Sequence, residues 1–295
     1  MAEFRDGKLK IDSKRSALEA LLDISIVAML TVLFAFNKQV EGENYIYYIT
    51  FFAVIGLSFL VNILGRATVS VKLPTIWYGV FIVLCALSSV WALYDPNLSL
   101  RYISRMVQVL FICFCITLYI KTREDFERFT MLFTAAVMIM IFSVFVRTPY
   151  ALWFSGFFGR INNENVTGNN INTLAYICVV AVAISFCKAY YYKKRAYYLC
   201  TAFELLYIVL SSSRKALFIV AFLLFAMLIF YVNKRFYLLR LALMIAAAVG
   251  IAIAFLKVPA LYNAAGFRLE KMLNYIVNND TMADGSLALR KGFGE

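Results

Sequence analysis

Nine apolar runs separated by short polar connections govern what this chain can fold into: residues 18–36, 45–64, 74–94, 102–120, 126–147, 171–187, 196–212, 216–232 and 236–256. A helix needs about 20 mostly apolar residues to cross the hydrocarbon of a bilayer. An open sheet cannot take its place, because lipid offers no partner to an unpaired amide. The 295 residues are 63% hydrophobic, well above the roughly half-apolar usage of soluble domains, so the expected fold is an all-α, polytopic transmembrane helix bundle. Residues 1–17 are expected to form a cytoplasmic tail, 18–256 the transmembrane domain, and 257–295 the start of a large extracytoplasmic loop. The basic opening "MAEFRDGKLKIDSKRS" is not expected to be a cleaved leader, since the apolar run after it is long enough to stay as an anchor. Few helix breaks are expected: Pro74 opens a span, and Pro96, Pro149 and Pro259 lie just beyond spans.

Orientation follows from the cations. With the N-terminus in the cytoplasm, 17 of the 29 Lys and Arg residues fall in inner connections, seven in outer ones and five in the long tail. That is the excess the positive-inside rule requires. The net charge of +12 is therefore read as topology plus attraction to anionic membrane lipids, with no nucleic acid partner. Nine spans then put the loop 148–170, the turn "SSSRK" and the tail 257–295 on the outer face. The chain has no histidine, and its six cysteines lack metal-ligand spacing, so no metal site and no cofactor are expected.

Several polar residues stand where this topology would remove them. Arg101 and Arg105, four apart, share a face of the fourth span, with Gln108 a turn deeper. They can snorkel to headgroups, or they can cradle a phosphate, whose oxygens suit the guanidinium fork. The loop "FSGFFGRINNENVTGNNINTLAY" carries Arg160, Asn170 and Asn172. Asparagine amides donate and accept, as sugar hydroxyls require, and they also serve ordinary turns and caps. Ser213, Arg214 and Lys215 form a short outer turn between two spans. Glu204 lies mid-span, where a carboxylate is expected to be protonated or paired with an arginine, and is needed for folding more than for chemistry. Asp23, near the cytoplasmic end of the first span, is read as structural.

Taken in order, these segments resemble the superfamily of O-antigen ligases and O-antigen polymerases. The family's Asn-Pro-Asn-x-Leu-Ala entry to a span is similar to "NINTLA" at Asn170–Ala175, with isoleucine in place of proline. Its Ser-Arg-[Gly/Lys] turn is similar to Ser213-Arg214-Lys215, and its Asp-x-Ser-x-x-x-Arg to Asp284, Ser286 and Arg290. "WALYDPNLSLRYISRMVQ" resembles a span entry of the family, and the likeness covers roughly residues 74–295. The family's outer loop continues past its arginine, carries a histidine in the ligases and returns through further spans. Here the sequence ends at Glu295, so a shortened chain is expected.

The resemblance implies metal-independent transfer of a glycan from a polyprenyl-diphosphate-linked oligosaccharide to an acceptor glycan or lipid, outside the cytoplasmic membrane. Arg214 and Arg290 would stabilise the leaving diphosphate, with Arg105 assisting and Arg101 binding substrate. Ser213, Lys215, Arg160, Asn170 and Asn172 would bind substrate. Two other readings stand beside it: a transporter of lipid-linked glycan that uses Glu204 as its coupling carboxylate, and a non-catalytic membrane subunit.

Overall fold

A computed structural model describes residues 17–35, 45–64, 73–89, 96–153, 171–211 and 213–231, with single positions at 71, 91 and between 250 and 274. Every regular element among them is helical: α1 Ala17–Ala35, α2 Tyr45–Leu64, α3 Leu73–Ser89, α4 Pro96–Tyr119, α5 Arg123–Arg147, a 3-10 turn Tyr150–Leu152, α6 Ile171–Tyr191, α7 Ala196–Leu210 and α8 Arg214–Tyr231. Five stretches are helical, long and apolar enough to cross a membrane: α1, α2, residues Tyr102–Tyr119 of α4, α5, and Asn172–Tyr191 of α6. α3, α7 and the Lys215–Met227 part of α8 are apolar but shorter. At 1.5 Å per residue, α7 extends about 22 Å against a hydrocarbon core of about 30 Å. The expected run 236–256 lies outside the described residues apart from Gly250 and Ile253, and the tail from Lys257 is described only at isolated positions.

Several expected boundaries move: α3 ends at Ser89 rather than at 94, and α5 begins at Arg123 rather than at 126. α4 begins at Pro96 rather than at 102, because proline fits the first helical turn, where no amide partner is needed. Arg105 nevertheless stays about one turn inside the apolar part, which begins at Tyr102. α6 runs on to Tyr191, four residues past its expected end, with Lys188 in a last turn whose carbonyls favour a cation.

The surface is the surface of a membrane protein. α3 exposes Leu73, Trp77, Phe81, Leu84 and Leu87, each more than half exposed. Water would drive such a face into aggregates, whereas hydrocarbon accommodates it.

Contacts divide the chain into two units, residues 1–29 with 48–129 and residues 30–47 with 130–295. In the first, α3 packs on α4. Tyr119 Oη donates to Asp23 Oδ1 at 2.6 Å, and Lys121 Nζ donates to Asn62 Oδ1 at 2.5 Å. Thr122 and Asp125 start α5 with a reciprocal cap: Thr122 N–H reaches the carboxylate at 3.0 Å, and Asp125 N–H reaches the threonine hydroxyl at 3.2 Å.

In the second unit α6 packs along both α7 and α8. Ala175, Cys178, Ala181, Val182, Ser185 and Ala189 of α6 are all buried. Helices in lipid gain little from the hydrophobic effect, so such small residues hold the interface by letting backbones approach. Pro149 follows the end of α5; Trp153 folds back, donating from Nε1 to Thr148 O at 2.9 Å and setting its ring 4.9 Å from that of Phe145. Arg147 reaches Ala35 O, the last carbonyl of α1, at 3.4 Å. One expected outer-face cation thus has a structural use at a helix C-terminus.

Candidate functional site

The α7–α8 turn is built by its serines. Ser211 ends α7, with its N–H bonded to Tyr207 O at 2.8 Å and its hydroxyl donating to Ile208 O at 2.7 Å. The same hydroxyl accepts from Ser213 N–H at 3.3 Å. Ser213 O in turn accepts from Leu217 N–H at 3.0 Å, which makes Ser213 the cap of α8. A capping serine commonly turns its hydroxyl toward its own helix. Here Ser213 Oγ donates to Asn172 Oδ1 on the first turn of α6, at 2.8 Å.

Two segments 41 residues apart in sequence therefore meet through a side-chain hydrogen bond. Ser213 is 2% exposed and Ser211 1%, while Asn172 is exposed. Their apolar chain neighbours Leu174, Ala175, Leu210 and Ala216 are all buried. The site thus joins a buried serine at the start of α8 to an exposed asparagine. Arg214 is the first residue of α8, where helix amides and guanidinium share a preference for anions. Lys215 follows and is exposed.

Of the residues expected to act on substrate, the structure brings together Asn172, Ser213 and the backbone of Arg214 and Lys215. The Arg214 side chain is outside the described residues, as are Arg160, Asn170, Asp284, Ser286 and Arg290. Arg101 lies on α4 with its side chain likewise outside them; Arg105, also on α4, is exposed. In the tail, Tyr262 Oη donates to Glu270 Oε2 at 2.5 Å, and that bond holds the phenol above its usual range by favouring the protonated form.

Glu204 departs from one of its two expected states, the pair with an arginine. It is wholly buried at the middle of α7, but its partner among the described residues is no arginine. Ser185 Oγ of α6 donates to Glu204 Oε1 at 3.0 Å, and Oε2 is buried with no hydrogen-bond partner among the described residues. Lys188, one turn beyond Ser185, lies with its ammonium 5.4 Å above the Tyr197 ring. Sequence reasoning passed over Ser185. The available signal was its place among Ala175, Cys178, Val182 and Ala189, where a lone hydroxyl on a small-residue face needs a partner.

Fold and surface together define a helical membrane protein with a polar site where α6 begins and α7 turns into α8. No protein-family model, curated protein or solved structure matches this chain.

Proposed function

We propose that the chain is a glycan ligase or polymerase of the O-antigen type, acting on the outer face of a bacterial cytoplasmic membrane. It moves a glycan from a polyprenyl (undecaprenyl) diphosphate carrier to an acceptor glycan or lipid, in the assembly of cell-surface polysaccharide. The observation that carries this reading is the Ser213–Asn172 bond, because it joins the two segments "NINTLA" and "SRK" that resemble separate motifs of that superfamily. A substrate with a diphosphate also accounts for cations on the face where the positive-inside rule disfavours them.

In this reading nine spans run from a cytoplasmic N-terminus, with α3, α7 and α8 crossing in a shorter form and the apolar run 236–256 as the ninth. The diphosphate binds at the start of α8. Arg214, joined by Arg290, holds its oxygens in a bidentate fork and stabilises the charge that develops as the glycosidic bond to phosphate breaks. Such guanidinium pairs supply the stabilisation that a divalent cation gives in many other transferases. Asn172, kept in place by Ser213, offers its amide to sugar hydroxyls, with Asn170 and Arg160 in the adjoining loop. Arg105 and Arg101 of α4 are assigned to binding of the same class of substrate, and Lys215 adds field without fixed geometry.

The test is product formation from purified lipid-linked oligosaccharide in proteoliposomes. Arg214→Lys and Arg214→Ala should both abolish transfer at normal membrane abundance, Lys215→Ala should lower it less, and EDTA should leave it unchanged. Topology is checked separately. Single cysteines at Asn163 and Gly285, with the native ones removed, should react with an impermeant thiol reagent in intact cells, and one at Lys193 should not. Full transfer by Arg214→Ala, or reaction at Lys193, would overturn the reading.

A further inference from the structure

The transfer chemistry leaves Glu204 unused, and its surroundings are unusual enough to assign it a role. The residue is 0% exposed, with Oε1 bonded to Ser185 Oγ at 3.0 Å and Oε2 buried without a partner among the described residues. The titratable groups that interact with it are Cys178 from α6 and Cys200 on α7, and Tyr207 follows one turn later on α7. None of these is a cation. α8, which also packs here, carries its charged residues, Arg214 and Lys215, in its first turn. Lys188 of α6 is placed over Tyr197.

A carboxylate ion in such a place needs a cation or several donors, and Glu204 has one neutral donor. A metal cation bound to it would meet Ser185 Oγ as a second oxygen, where hard cations take six or more. A proton needs neither a second ligand nor a cavity. We propose that Glu204 is a proton-binding site, a neutral carboxylic acid held between α6 and α7 with its proton on Oε2 and the Ser185 hydroxyl on Oε1. The assignment does not depend on the glycan-transfer reading. Release of the proton would place a charge between the two helices about two turns below Ser211, and so loosen the pair that frames the Ser213–Asn172 bond.

Infrared difference spectroscopy of the full-length chain in lipid at neutral pH tests this. Wild type minus Glu204→Gln should show the carbonyl band of a protonated carboxylic acid. Carboxylate bands in its place would overturn the proposal. Should Glu204→Gln fail to fold, Ser185→Ala supplies the reading, because loss of the hydrogen bond to Oε1 should shift the acid carbonyl to higher frequency. An acid band that does not move, or no acid band at all, would equally sink the assignment.

Discussion

In the unit built from residues 1–29 and 48–129, the described contacts Tyr119–Asp23 and Lys121–Asn62 each have a partner at or just beyond a helix end. Tyr119 is the last residue of α4, Lys121 lies just beyond it, and Asn62 is two residues from the end of α2. Asp23 is half-buried and Lys121 exposed, so both charged groups keep access to water. In the other unit the Ser185–Glu204 contact is deep in the helices and wholly buried, while Ser213–Asn172 and Arg147–Ala35 lie at helix ends. The lesson concerns dielectric more than bond count. A charge at a helix end is solvated whether or not its partner is present, whereas one at mid-helix depends on protein alone.

The sharpest way to break this comparison is to exchange charges. Glu204→Lys should cost about 3 kcal/mol or more and remove most folded protein from the membrane, since an intramembrane cation without a partner is disfavoured by about that much. Asp23→Lys should cost only about 1 kcal/mol, because a long side chain near a helix end can snorkel. Melting of both variants in one detergent checks the pair, and equal losses would erase the distinction drawn here. Asn62→Leu comes next, with an expected loss of about 1 kcal/mol: it removes a buried amide but leaves Lys121 its water.

The Ser213–Asn172 contact should be smaller still. A double-mutant cycle of Asn172→Ala and Ser213→Ala should give a coupling of about 0.6 kcal/mol, the average found between transmembrane helices. Either single variant should nonetheless lower glycan transfer several-fold at unchanged abundance, which separates a positioning role from a stabilising one. The least effect is expected at Lys193 in the α6–α7 turn, whose φ of 53° lies in the left-handed region. Lys193→Gly relieves a backbone cost of about 1 kcal/mol but restores freedom to the unfolded chain, so the melting temperature should rise only slightly.

Much of the architecture was already legible in the order of the residues. Seven of the nine expected runs overlap α1, α2, α3, α5, α6, α7 and α8, with ends that differ by up to five residues, because uninterrupted apolar stretches admit only helix where backbone groups must be satisfied within the segment. The start of α4 was misplaced because "PNLSL" reads as a polar connection, although Pro96 is well suited to a first helical turn. The importance of "NINTLA" and "SRK" was visible as two separate fragments. That Asn172 and Ser213 touch was not, since a contact across 41 residues depends on how α6 lies against α7 and α8.

Glu204 draws the same line. Its depth and its rarity among apolar neighbours came from composition and position alone. Which partner it found, a serine and not an arginine, was decided by the register of α6 on α7. Register depends on how small side chains interlock, and that is a property of two surfaces in contact, carried by neither sequence segment by itself.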